Sequence, residues 1–122
     1  MKVGIEAIEI TRNLLGDLSN AWKYGMRYED KNTPKKDVMK LHWYLSDFRN
    51  HFIDINNECT ANVSVPPSIL DKMKVVIDTE PVAEIKRTFE LIFSIVKEGG
   101  LVNPSEYDNV LVGLETYSAT LN

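Results

Sequence analysis

Apolar side chains recur along most of the chain with the spacing of an α-helix. Adding 100° for each residue places the apolar residues of each segment on one arc. In the second segment, for example, the arc contains Leu41, Phe48 and Phe52. The pattern predicts an all-α fold, with helices at about 2–28, 34–59, 67–78, 80–98 and 104–120.

Local signals support several of these helix ends. Thr33-Pro34 and Thr79-Glu80-Pro81 are typical helix starts, and Asn103-Pro104 is followed by Glu106 in the manner of a capping box. Gly99-Gly100 is typical of a helix stop. Short loops between long amphipathic helices favour antiparallel neighbours, so we predict one up-down helical bundle over residues 1–122.

The second predicted helix carries a second row of side chains, about 160° from the first. This row contains Met39, Trp43, Ser46, Asn50 and Ile53. A helix at the rim of a bundle cannot bury both rows against a single core. We therefore expect Met39 and Trp43 to contact the third or fifth predicted helix, a second copy of the chain, or a different protein.

A polar stripe follows the same predicted helix. Lys40, Asp47, His51, Asp54 and Glu58 recur at helical spacing, with intervals of three and four between the last four. Carboxylates and an imidazole stacked in this way can ligate a metal ion. The stripe points away from the apolar row, however, whereas helical metal sites direct their ligands into the core. A solvated face is therefore the favoured interpretation.

Two other groups of residues bear on catalysis. Glu6 and Glu9 form the E-x-x-E pair found in all-α nucleotide pyrophosphohydrolases, but the chain has no E-x-x-D pair to complete that motif. Cys59 falls on the apolar row of the second predicted helix. It is therefore predicted to be a small buried hydrophobic residue and not a nucleophile.

Composition excludes several classes of protein. The chain has 122 residues, 43% of them hydrophobic, and a formal net charge of −4. This acidic balance argues against general binding to nucleic acid or to an anionic membrane. A single cysteine excludes an internal disulfide and a four-cysteine zinc site. No signal-peptide pattern or long apolar run is present, so we expect a cytoplasmic location.

These features favour a non-catalytic protein that binds another protein stoichiometrically, as an inhibitor, an adaptor or an assembly subunit. No cofactor or metal is expected, and self-association ranks ahead of a different partner. The alternatives are a metal-dependent all-α enzyme using the acidic stripe, or a bundle that sequesters a small ligand. The predicted partner-binding residues are Met39, Trp43, Asn50, Ile53, Asp47, His51 and Asp54.

Overall fold

Six helices make up the regular structure of the part of the chain that the computed structural model describes, residues 4–29 and 32–122. The all-α prediction is confirmed, and no strand is present within these ranges. The predicted start of the first helix, at residue 2, lies outside them. The helices are α1 Ala7–Thr11, α2 Gly16–Arg27, α3 Pro34–Phe52, α4 Pro67–Thr79, α5 Ala83–Lys97 and α6 Pro104–Ser118.

Helix α2 lies at the centre of the bundle. It packs against α1, α3 and α5, while α6 packs against α3 and α5, and α4 against α1 and α5. Trp22 and Phe89 meet in the core with their ring centroids 4.3 Å apart. The largest fully buried side chains come mainly from α2, α3 and α5, with one each from α1, α4 and α6: Trp22, Tyr107, Phe48, Phe89, Ile10, Leu18, Leu41, Leu45, Met73, Ile85, Leu91 and Ile92.

The first predicted helix is interrupted and forms α1 and α2. Gly16 has φ +31°, a left-handed backbone conformation that favours glycine. At the end of α1, the Ser19 hydroxyl donates a hydrogen bond to the Thr11 carbonyl oxygen over 3.0 Å, and the Asn13 amide donates to the Glu9 carbonyl oxygen over 3.2 Å. These side-chain donors therefore satisfy carbonyl oxygens at the end of α1 that have no partner within the helix. Polar side chains that bond to nearby backbone groups in this way favour a helix end over a continuous helix.

The second predicted helix ends at Phe52, earlier than the predicted residue 59. The Asp54 carboxylate accepts hydrogen bonds from the backbone N–H groups of Asn56 and Glu58, over 2.8 and 3.1 Å. Asn57 follows with φ 60°, a conformation that asparagine tolerates better than most residues. A tight turn built on the Asp54 side chain therefore replaces the last two predicted helical turns.

Cys59 belongs to this turn and not to a helical row. It pairs with Ile53 in an isolated antiparallel bridge, and its N–H donates to the Gly100 carbonyl oxygen over 2.9 Å. The thiol is half-buried, and burial raises its pKa, with a smaller contribution from Asp54. A raised pKa leaves the thiol protonated near neutral pH, in keeping with a packing role.

The helix start predicted at Thr79-Glu80-Pro81 is wrong, because Thr79 ends α4 and α5 begins at Ala83, but the other predicted helix ends agree more closely with the structure. Gly99 and Gly100, with φ values of 68° and 102°, follow the end of α5, and the Asn103 side chain accepts a hydrogen bond from the Glu106 N–H over 3.1 Å. Thr33 precedes α3 without a side-chain cap. None of the helices in the described ranges is both long enough and apolar enough to cross a bilayer.

Candidate functional site

The side of α3 that faces away from the core exposes two large apolar residues. Met39 is 54% exposed and Trp43 is 59% exposed. The two residues lie one turn apart in the 19-residue helix α3. The expectation that the third or fifth predicted helix covers them is wrong: α4 does not contact α3, and α6 packs on another side of it. The rings of Trp43 and Tyr44 are nearly perpendicular, with 5.2 Å between their centroids.

We call the row Lys36, Met39, Trp43, Ser46 and Asn50 the outer face of α3. The helical period places these five side chains within about 80° of one another. All of them are exposed or half-buried, whereas Leu41, Leu45 and Phe48 on the opposite side are fully buried. The second row predicted from the sequence therefore lies along the solvent side of α3 as far as Asn50.

Contacts with α2 hold one flank of α3. The rings of Tyr24 and Tyr44 stack with their centroids 5.8 Å apart. The ammonium of Lys40 lies 5.2 Å from the centroid of the Tyr24 ring, and the Arg27 guanidinium lies 5.1 Å from it. These cation–π contacts place Lys40 beside α2, at the border of the outer face.

Contacts with α6 hold the other flank. The Arg49 guanidinium donates a hydrogen bond to the Asp108 carboxylate over 3.0 Å, and the His42 imidazole lies 3.5 Å from the Glu115 carboxylate. Helix α3 is therefore fixed on both flanks, and its outer face is presented by a rigid element.

A groove of about 540 Å³ continues the outer face around the N-terminal half of α3. Its walls are apolar around Met39 and Trp43, and three lysines form much of its rim. The described residues that line it are Asn32, Thr33, Lys35, Lys36, Met39, Lys40, Trp43 and Asn122. The groove is positively charged although the chain as a whole carries a net charge of −4.

The charge reverses further along the same helix, where Asp47 and His51 form a pair. The two side chains are 3.1 Å apart, with Asp47 29% exposed and His51 66% exposed. Asp47 also faces Asp17 of α2. Burial, together with the neighbouring Asp47 carboxylate, raises the pKa of Asp17 to about 6, and the nearby His51 opposes this shift. No sequence pattern pointed to Asp17, because only the packing of α2 on α3 brings these carboxyl groups together.

Two of the remaining predicted partner-binding residues lie apart from the outer face of α3. Asn50 is exposed on it, but Ile53 and Asp54 follow the end of α3. Ile53 packs against the core, and the Asp54 carboxylate is occupied by the turn described above. The second apolar row predicted from the sequence therefore ends at Asn50, and the predicted polar stripe ends at His51.

The structure also separates the proposed metal ligands. Asp47 and His51 remain adjacent, whereas Asp54 and Glu58 belong to the turn. Within residues 4–29 and 32–122, no group of three or more His, Cys, Asp or Glu side chains is arranged to hold a metal ion.

The E-x-x-E pair has a structural explanation. The Glu9 carboxylate accepts a hydrogen bond from the Glu6 N–H over 2.6 Å, as part of a capping box at the start of α1. Its other oxygen accepts from the Lys72 ammonium over 3.1 Å, which joins α1 to α4. These two hydrogen bonds, the backbone one first, lower the pKa of Glu9.

A second groove, of about 760 Å³, lies between α5 and α6 and bears on the small-ligand alternative. Most of its lining residues are polar or charged, and no sequence pattern pointed to it. Its lining residues are Arg87, Glu90, Asn103, Ser105, Glu106, Asn109 and Val110.

Comparisons with known proteins give one partial match. A family model, DUF3310, described as a protein of unknown function, matches residues 1–46. The matched region contains α1, α2 and the part of α3 that carries Met39 and Trp43. Searches of curated proteins and of solved structures gave no match.

Proposed function

We propose that this protein is a non-catalytic interaction module that binds stoichiometrically and self-associates through the outer face of α3. The observation that carries the proposal is the exposure of Trp43 and Met39 on neighbouring turns. Single exposed apolar residues are common on protein surfaces, but an adjacent Trp and Met next to an apolar groove is a more specific feature.

The residue types support this proposal. Aromatic residues and Met are enriched at the centres of protein interfaces, and Trp is among the residues that contribute most to binding. Desolvating both side chains against a second surface is favourable in proportion to the apolar area removed from water. One helix face is a small contact, so we expect a weak equilibrium that depends on concentration.

The rigidity of α3 also supports binding. The Tyr24–Tyr44 stack and the Arg49–Asp108 ion pair fix the helix before any partner arrives. A surface that is already ordered loses less conformational entropy on association than a flexible one.

The test is sedimentation equilibrium over a range of protein concentrations. We expect the wild-type chain to associate as concentration rises, and the double variant Met39→Ala/Trp43→Ala to remain monomeric with unchanged helical circular dichroism. Val75→Ala is the matched control, because Val75 is 43% exposed on α4, which does not contact α3. A wild-type chain that is monomeric at every concentration, or a double variant that associates as the wild type does, would overturn the proposal.

A further inference from the structure

We infer that two copies pair with their α3 helices antiparallel, so that Lys40 of each copy lies opposite Asp47 of the other. This inference rests on the proposed self-association through the outer face of α3 and specifies its geometry. It follows from the distribution of charge and side-chain size around Trp43.

Lys40 and Asp47 occupy the same flank of α3. Lys40 lies over the Tyr24 ring of α2, and Asp47 faces Asp17 at the other end of α2. The two residues are seven positions apart, which is two helical turns and about 10.5 Å along the axis. Trp43 lies between them, close to the midpoint, so a positive and a negative group flank the exposed indole at nearly equal distances.

A two-fold axis that passes beside Trp43, perpendicular to α3, relates the two copies so that the contact between Lys40 and Asp47 forms twice. In a closed symmetric dimer the same surface serves both copies, so each contact between one pair of residues recurs in reverse. An antiparallel pair about that axis keeps each flank of α3 on its own side. It therefore brings Lys40 of one copy opposite Asp47 of the other, and Asp47 opposite Lys40. A parallel pair would instead exchange the flanks, so that Lys40 would lie opposite Met39 and Asp47 opposite Ser46, with no contact between opposite charges.

The opposite side of the outer face has a matching steric pattern. Met39 and Ser46 are also seven residues apart and lie within about 20° of each other around the helix. The same antiparallel arrangement brings Met39 of one copy opposite Ser46 of the other. The short hydroxyl side chain leaves room for the flexible thioether, which adapts readily to irregular spaces.

The surroundings of Asp47 are compatible with this contact. The Asp47 side chain keeps 29% of its surface exposed beside His51, so a lysine from a second copy can reach it. Asp17 adds a second carboxyl group at the same place, and the pKa of Asp17 falls when a cation approaches. The approach of Lys40 from the second copy is therefore electrostatically favourable.

Charge reversal tests the geometry by sedimentation equilibrium at low ionic strength. Lys40→Glu and Asp47→Lys each replace two attractive contacts by two repulsive ones, so each is expected to weaken association about tenfold or more. The double variant Lys40→Glu/Asp47→Lys exchanges the charges within one chain and is expected to associate as the wild type does. Asp47→Asn, which removes the attraction alone, is expected to weaken association by a smaller factor.

Asp47→Lys is the decisive variant, because it makes the acidic chain less negative. Net charge alone would then strengthen association. Lys74→Glu and Asp78→Lys on α4 are the controls for net charge, and circular dichroism checks the folding of each variant. If Asp47→Lys and Asp47→Asn strengthen association or leave it unchanged, the antiparallel contact is overturned. The proposed self-association would still stand if Met39→Ala/Trp43→Ala abolishes it.

Discussion

Gly25 of α2 lies directly against the Phe89 ring of α5. A Cβ atom added to Gly25 would lie 2.6 Å from Cε1 of Phe89 and 2.9 Å from its Cζ, both far inside van der Waals contact. The same phenyl ring packs against Trp22, and both rings are fully buried. The absence of a side chain at Gly25 therefore sets how closely α2 approaches α5.

We predict that Gly25→Ala destabilises the fold although alanine has the higher helix propensity. The added methyl group must displace Phe89 in a closely packed core, which costs about 1–3 kcal/mol and outweighs the gain of about 1 kcal/mol in propensity. Urea denaturation followed by circular dichroism measures the change in the free energy of unfolding.

Gly113→Ala is the control for this prediction. Gly113 lies inside α6, and apart from its chain neighbours and the backbone of its own helix no atom of the described residues lies within 4 Å of the position that its Cβ would take. Alanine is therefore expected to stabilise the protein there by about 0.5–1 kcal/mol. If both substitutions raise stability, the close contact between Gly25 and Phe89 is not a constraint on the fold.

Tyr107 provides the second prediction. Its buried hydroxyl donates a hydrogen bond to the carbonyl oxygen of Leu45 over 2.6 Å and joins α6 to α3. Tyr107→Phe keeps the ring but removes this bond, so we expect a loss of about 1 kcal/mol in the free energy of unfolding. Tyr44→Phe is the matched control, because the Tyr44 hydroxyl has no hydrogen-bond partner among the described residues. Equal urea midpoints for Tyr107→Phe and the wild type would contradict this prediction.

The helical period predicted the fold class because each buried face repeats along its own segment. It did not predict the breaks at Gly16 and Asp54, because apolar residues continue through both places with helical spacing. Polar side chains decide those breaks by satisfying nearby backbone groups, as Ser19 and Asp54 do. Gly16 and the Asn56-Asn57 pair were local signals for them.

The sequence predicted on which side of α3 the Trp43 row lies, but not whether that side is exposed to solvent. The angle between the Trp43 row and the Leu41 row follows from residue spacing alone. Whether another helix covers Trp43 depends on how α4 and α6 pack, which spacing within α3 does not specify. For the same reason the contact between Asp17 and Asp47 had no signal in the sequence, since these residues belong to different helices.

The Asp17–Asp47 pair predicts how stability depends on pH. Burial and the Asp47 carboxylate raise the pKa of Asp17 from 3.8 to about 6 in the folded protein. Between about pH 4 and 6, the folded chain therefore holds a proton that the unfolded chain has already released. The contribution of this pair to stability is greatest below this range and falls as pH rises through it, because the unfolded state binds fewer protons. Solvent screening of this partly exposed pair limits the loss to on the order of 1 kcal/mol.

Asp17→Asn isolates this effect, because an amide resembles the protonated carboxyl group and does not titrate. Relative to the wild type, the variant is expected to gain about 1 kcal/mol in stability between pH 4 and pH 7, measured by urea denaturation at both values. Comparing the two pH values cancels any constant effect of the amide at the start of α2. Asp71→Asn, at an exposed position of α4, is the control for loss of one surface carboxylate. If Asp17→Asn and the wild type lose stability in parallel from pH 4 to 7, the carboxyl pair does not hold a proton in the folded state.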